Sequence, residues 1–415
     1  MTDPGPGSIE LSVVIPCLDE ANSLALVIGK ALAAFQREGI AGEVLVSDNG
    51  STDGSTEIAT KAGARVVNCP VRGYGAALQW GFEAARGKYL LMGDADDSYD
   101  FSQIRPFLDR LRAGDKFVMG SRLRGTIDKG AMPTLNRHLG TPVLTWILNR
   151  LFGTRISDCN CGMRGLDREA FFQIGAVSPG MEFASEMVVK AAIVGIPITE
   201  VPIDFHKDQR GRPPHLRPWR DGWRHLRLLL WHAPDQTMTL PGLILVLLGS
   251  ALVVWQIGGP YRFGAWLFDL HFMVLGLTLA MLGLPALAMG LAVHAVTPDR
   301  RLRRARFLGD VHRWFTFDKA MIVAGLLFLP GLACDLAVLV HWLAIHRGPL
   351  LPVHTRLALA GALFIAMGFQ AALLGLLVGT ARSALAPALI TQAPDRQLFP
   401  APQAQPEAIP VHPRI

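Results

Sequence analysis

"KYLLMGDADDSYD", residues Lys88–Asp100, decides the fold. Its first half is a run of apolar, strand-forming residues, and its second half gathers Asp94, Asp96, Asp97 and Asp100. An apolar strand that stops on acids belongs at the carboxyl edge of an open α/β sheet, where ligands bind. Working outward, similar runs lie at Leu11–Pro16 (LSVVIP), Glu43–Asp48 (EVLVSD), Ala64–Cys69 (ARVVNC) and Lys116–Ser121 (KFVMGS). Helical stretches at Asn22–Arg37, Ser55–Ala62, Gly75–Arg86 and Ser102–Arg112 separate them. Strands alternating with helices predict βαβ units and a mostly parallel, Rossmann-like sheet. Acids follow several strands: Asp19 and Glu20 the first, Asp48 the second, Asp94 and Asp96 the fourth. One such acid would read as a helix cap; several at one edge read as a site.

Asp94 and Asp96 are two apart, so in extended chain their carboxylates point the same way. They repel unless a cation lies between them. Oxygen-only donors favour Mg²⁺ or Mn²⁺, which commonly bridge protein carboxylates to a diphosphate. That reconciles an acidic cluster with a chain of net charge +6. The plainer alternative is a solvated turn in which Asp97 and Asp100 cap the next helix. The neighbouring segments favour a site. "VRGYGAALQWGFEAARG" (Val71–Gly87) sets glycines at a helix start, where backbone N–H groups can approach an anion. "VSDNGSTDGS" (Val46–Ser55) follows a strand with a turn rich in polar groups.

The 415 residues have only 18% charged side chains and a mean hydropathy of +0.31, too apolar for an ordinary soluble enzyme. The apolar excess is all in the second half. Residues 1–205 read as an α/β domain and 206–236 as a basic amphipathic segment. Residues 237–383 read as an all-α transmembrane domain of four helices, and 384–415 as a Pro-rich disordered tail. The spans fall at about 237–257, 268–296, 320–345 and 357–380. Between the second and third, "TPDRRLRRARFLGDVHRWFTFDK" concentrates arginine, whereas the other two loops carry little charge. The positive-inside rule puts this loop, the α/β domain and both termini in the cytosol, with a bacterial inner membrane as the expected location. "LAMLGLPALAMGLAV" and "FIAMGFQAALLGLLV" align Gly283 with Gly368 and Gly290 with Gly375, which suggests a duplicated hairpin. Asp335, inside the third span, is costly there and is expected to face other helices or a headgroup. The five cysteines form no disulfide framework, and "MTDPGPGSIE" has neither the basic start nor the apolar core of a signal peptide.

The order "VVIPCLDEANSL", "VSDNGSTDGS", "RGYGAA", "LLMGDADDS" resembles the family 2 glycosyltransferases, which have a GT-A fold. The resemblance continues through "GSRL", "LNRHLG", "SDCNCGMRGLDREAF" and "EVPIDFHKDQRGRP", about the first half of the chain. The later segments look like the branch with polyisoprenyl-phosphate acceptors, such as dolichol-phosphate mannosyltransferases and undecaprenyl-phosphate glycosyltransferases. It implies an inverting transfer of a hexose from a nucleotide-diphosphate sugar to a lipid phosphate. It places Pro16, Asp19, Glu20, Asp48, Ser51 and Gly73 around the nucleotide sugar, with Asp94. Asp94 and Asp96 match the DxD metal acids; Ser98 stands where mannosyltransferase relatives often carry a Gln ligand. Arg122 and Arg137 match basic residues near the phosphates. Asp158, Gly162 and Arg164 match a segment flanking sugar and acceptor, so that Asp96, Asp158 and Arg164 are the expected catalytic set. Glu182 or Glu186 matches a carboxylate on a nearby helix. Arg210 and Arg212 are candidates to clamp the acceptor phosphate.

"RPWRDGWRHLRLLLW" (Arg217–Trp231) fits a helix lying on a membrane surface: Trp219, Trp223, Leu226 and Leu230 on one face, Arg217, Arg220, Arg224 and Arg227 beside them. The expected partners are nucleotide sugar, lipid phosphate and membrane, not nucleic acid, with room for a homo-oligomer. The rivals are a processive polysaccharide synthase, although "QRGRP" has Pro where such enzymes have Trp, an inactive nucleotide-sugar-binding scaffold, and a nucleotidyltransferase.

Overall fold

Each of the apolar runs becomes a strand. β1 (Leu11–Cys17), β2 (Gly42–Asp48), β3 (Arg65–Asn68), β4 (Tyr89–Met92) and β5 (Phe117–Ser121) lie in one sheet with β6 (Arg164–Asp167) and β7 (Ile198–Pro202). The strand order is β3-β2-β1-β4-β6-β5-β7. All pairings are parallel except those of β6, which runs antiparallel to both neighbours. β1 and β4 are buried almost throughout, because helices cover both faces of the sheet. Cys17 pairs with Asp48 and Val14 with Met92, so the chain leaves β1, β2 and β4 at one edge and brings their terminal acids together.

The computed structural model describes residues 9–209, 218–264, 266–296 and 316–391. α1 (Leu24–Glu38), α2 (Ser55–Lys61) and α4 (Ile104–Arg112) pack on one face of the sheet, through Val27, Ile28, Phe107 and Leu108. α3 (Tyr74–Ala84), α5 (Thr141–Phe152), α6 (Arg168–Ile174), α7 (Phe183–Val194) and α8 (Pro218–Trp231) contribute to the core on the other, through Leu78, Leu148, Phe171, Met187 and Leu229. β6 escapes a reading by hydrophobic pattern because it is four residues long and begins with a charged side chain, Arg164, which is wholly buried.

α8 corrects the expectation of a separate interfacial segment. Its Asp221, His225, Leu228 and Leu229 form a third, buried face, and both leucines join the core of the α/β unit. The remaining surface keeps Trp223, Leu230 and Trp231 outward at 59%, 36% and 64% exposure. Arg217 lies outside the described residues, as does the side chain of Trp219.

The chain divides into two units, the first ending at Thr237 and the second beginning at Met238. The second contains α9 (Leu240–Ile257), a short hairpin of β8 (Tyr261–Phe263) and β9 (Trp266–Phe268), α10 (Leu270–Val296), α11 (Phe317–Ala344) and α12 (Pro352–Thr391). Four stretches are long and apolar enough to cross a membrane: Asp235–Ile257, Leu270–Val293, Phe317–Ala344 and Pro352–Thr380. α12 continues beyond Ala384, where the sequence suggests that order ends, since Ala and Leu sustain helix there. Residues 392–415 lie outside the described residues. Gly276, Gly283 and Gly290 of α10 press on the α9 side of their hairpin. Gly361, Gly368 and Gly375 of α12 press on α11 in the same spacing. The two hairpins therefore use equivalent small-residue seams, as a duplication requires. Gly361 leaves room for the Asp335 carboxylate, so this acid faces a helix and not lipid.

Candidate active site

Three loops at the sheet edge are stitched together by side chain to backbone bonds. Asp19 sits in the left-handed region, φ 57°, and donates its N–H to Ser51 Oγ at 2.9 Å. Its carboxylate accepts the Thr52 N–H at 2.8 Å. The Glu20 N–H donates to Ser55 Oγ at 3.0 Å. Asp48 accepts the N–H groups of Gly50 and Ser51, shaping the turn after β2. Pro16 lies opposite Ser47 in the register, at the mouth of this turn. Asn49, which has no motif signal of its own, ties the turn to the start of α3. Its amide donates to the Val71 carbonyl and accepts the Gly73 N–H, both at 2.7 Å. Gly73 has φ 143°, and a side chain there would run into the Pro179 carbonyl. The 177–178 backbone is held in turn by Glu186, which accepts both N–H groups and pairs with Lys190. Burial alone would raise the Glu186 carboxyl; Lys190 and Ser178 outweigh it and hold it below the usual range.

The DxD loop lies beyond β4. Tyr74, at the start of α3, donates its hydroxyl to Asp94 Oδ1 at 3.0 Å. Burial first, and the Asp94 charge second, push this phenol well above its ordinary value, so it stays a donor. Gly162 crowds the other side of Asp94; a side chain there would meet Tyr99 and Asp94 Oδ2. Asp96 is 2% exposed, and its Oδ1 accepts both the N–H and the hydroxyl of Ser98, at 3.0 and 2.6 Å. Asp97 between them adopts φ 64°, paired with Lys30 at 2.6 Å and with the Gln209 amide at 3.2 Å. The Gln209 N–H also donates to the Asp96 carbonyl at 3.0 Å. Asp94, Asp96 and Ser98 offer hard oxygen donors, which fit Mg²⁺ or Mn²⁺. Among the described residues no third His, Cys, Asp or Glu completes the set, so phosphate oxygens and water would fill the remaining positions.

Asp158 and Arg122 form the second half of the site. Asp158 is fully buried and takes a two-pronged ion pair from Arg122, at 2.7 and 2.8 Å. Burial opposes the guanidinium charge, but Tyr99 and Asp158 outweigh it and raise its pKa further. The ion pair fixes the Arg122 guanidinium against Asp158. Phe205 links the halves: its ring packs on Tyr99 at 5.1 Å and lies under Arg122 at 5.1 Å, while Tyr99 Oη accepts the Gly162 N–H at 2.7 Å.

Two expectations change. Arg164 does not open onto the crevice: it is fully buried and donates to the carbonyls of Cys159, Cys161 and Ala184. It shapes the Asp158–Gly162 turn from behind. Arg137 is exposed in the π-helical turn Asn136–Gly140, with no side-chain hydrogen bond or ion pair among the described residues. Arg210 and Arg212 lie outside the described residues. Glu182 keeps Oε2 buried without a hydrogen bond.

Comparison with known proteins decides the family. Residues 12–175 match "Glycosyl transferase family 2", and residues 293–382 match "Glycosyltransferase family 2 C-terminal transmembrane region". The low-salt glycan biosynthesis hexosyltransferase Agl6 of Haloferax volcanii is 38% identical, over 78% of this chain and 78% of that protein. The chain is a family 2 glycosyltransferase. A dolichyl-phosphate hexose transferase of the same organism is 32% identical to this glycosyltransferase, over 51% of the chain and 89% of that protein. Glycosyltransferase AglJ, also from Haloferax volcanii, is 35% identical over 51% of the chain and 67% of its own length. With its four apolar helices and matched transmembrane region, the glycosyltransferase is an integral membrane protein.

Proposed function

We propose that this glycosyltransferase moves a hexose from a nucleoside-diphosphate sugar to the phosphate of a polyisoprenyl phosphate, inverting the anomeric centre, on the cytosolic side of its membrane. The observation that carries the proposal is a DxD loop linked through Tyr99 and Phe205 to a buried arginine paired with Asp158. The likeness to a dolichyl-phosphate hexose transferase over most of that protein's length supports the acceptor class. So do the outward tryptophans of α8, which suit headgroup depth.

The chemistry asks little of a general base. A phosphate monoester has a second pKa near 6 and is already a nucleophile at neutral pH. The difficulty is electrostatic, because two anions must meet and a diphosphate must leave. Asp94 and Asp96 would hold a divalent cation, whose charge would offset that of the departing diphosphate. The turns that carry Asp19, Asp48 and Ser51 hold the nucleotide end. Arg122 receives the acceptor phosphate by exchanging part of its ion pair with Asp158, which then keeps the guanidinium oriented. Tyr74 fixes the rotamer of Asp94 and donates to it without losing its proton.

Membranes carrying the protein are incubated with labelled UDP- and GDP-sugars, Mg²⁺ or Mn²⁺, and a short polyprenyl phosphate. One labelled, acid-labile lipid product is expected, and addition of EDTA is expected to abolish it. Label appearing only in a polymer, or no lipid product with any donor, would overturn the assignment.

A further inference from the structure

The membrane unit contains a buried polar constellation that helix packing does not use. Arg356 of α12 is 7% exposed and donates one guanidinium nitrogen to Asp269 at 2.6 Å. Its Nε is buried with no hydrogen-bond partner. Gln256, in the last turn of α9, is fully buried, and neither its amide oxygen nor its nitrogen is hydrogen bonded. His354 Nδ1 is likewise buried without a partner, its ring stacked on His341 at 4.2 Å.

Gln256, Asp269 and Arg356 lie toward one end of the helical unit. Val253, Met273 and Ala360 pack in a single cluster. Gln256 stands about one helical turn beyond Val253, Asp269 about one turn before Met273, and Arg356 about one turn before Ala360. All three therefore step from that layer toward the same end of the unit. The same end carries an aromatic girdle on the β8–β9 hairpin: Tyr261, Phe263 and Trp266 are 42%, 79% and 72% exposed. Such a girdle marks headgroup depth.

An unsatisfied polar group in an apolar surround costs several kcal/mol, so donors at this depth are kept for a partner. Arg356 excludes a cation. The Arg356 Nε–H and the Gln256 amide are donors, and guanidinium geometry suits a phosphate bidentately. Asp269, 39% exposed in its side chain, is the partner at the rim that an incoming anion can replace. We propose that Arg356 and Gln256 form a binding site for the phosphate of a lipid headgroup, which displaces Asp269 from the guanidinium. The phosphate can belong to a bilayer phospholipid or to a polyisoprenyl phosphate. The site does not depend on the transfer reaction proposed above.

Native mass spectrometry of the detergent-purified full chain tests this with phosphatidylglycerol, undecaprenyl phosphate, diacylglycerol and inorganic phosphate as probes. Binding of either phosphate-bearing lipid well above diacylglycerol is expected, and the stronger of the two names the source. Arg356→Gln should weaken that binding about tenfold or more, whereas Asp269→Asn, which removes the competing carboxylate, should strengthen it. A purely structural ion pair predicts no such opposition of sign. Gln256→Leu, which retains the ion pair, should lower lipid binding while raising the melting temperature. Parallel loss in Arg356→Gln and Asp269→Asn, equal binding of diacylglycerol, or inorganic phosphate competing as well as lipid, would each overturn the proposal.

Discussion

At the residue scale, Asp96 and Asp97 are neighbours with different tasks. Asp96 is buried and oriented by Ser98. Asp96→Ala is expected to reduce sugar transfer by about three orders of magnitude, the several kcal/mol that a cation's charge stabilisation supplies. A variant that folds and retains near-normal metal-dependent turnover would remove Asp96 from the site. Asp97 instead combines a left-handed backbone with bonds to Lys30 and Gln209. Asn tolerates that conformation and Ala does not, so Asp97→Ala should destabilise by about 2 kcal/mol more than a surface substitution. Asp97→Asn should lose clearly less, and thermal denaturation of the two variants side by side decides it. The DxD pair was visible in the sequence because its spacing carries chemistry. The role of Asp97 was not, because Lys30 and Gln209 are brought to it only by folding. Tyr74 and Asn49 were hidden for the same reason.

At the scale of the element, strands and helices that alternate locally were legible from their apolar runs, to within a residue or two for β1 and β2. β6 was hidden by its buried arginine, and α8 had an unrecognised third face. Polar residues on that face gave no hydrophobic signal: His225 is buried against α7, with Nδ1 2.7 Å from Ser185 Oγ. Burial pushes the His225 pKa below its ordinary value, and Arg164 adds to this, although Glu182 and Asp221 pull the other way. The sign follows from linkage. As the pH falls through roughly 6.5, the unfolded chain takes up a proton that the folded imidazole refuses. Stability from this group is therefore complete at neutral pH and declines on acidification, down to the folded-state pKa. His225→Gln keeps a polar partner for Ser185 but cannot titrate. Wild type should lose more thermal stability than His225→Gln between pH 7.5 and 5.5; equal losses would show that His225 is not the group responsible.

At the scale of the whole molecule, charge and hydropathy make a claim about sidedness. The segment between α10 and α11 holds Arg300, Arg301, Arg303, Arg304, Arg306 and Arg313, whereas the turn between α11 and α12 holds His346 and Arg347. A concentrated arginine loop between two spans resists translocation, and the prediction is that it lies on the side where the chain is made. With four crossings the same prediction puts the α/β unit on that side, where nucleotide sugars are found. Single cysteines report this in intact cells. The native background is small, because Cys17, Cys69, Cys159 and Cys161 are buried and Cys334 lies within a span. Gly348→Cys should react with a membrane-impermeant maleimide added outside, and Pro298→Cys should react only after the membrane is permeabilised. The opposite pattern would put the DxD acids on the wrong side of the bilayer for a cytosolic donor. The proposed reaction would then need a sugar donor supplied from outside, whatever the local geometry around Asp94 and Arg122.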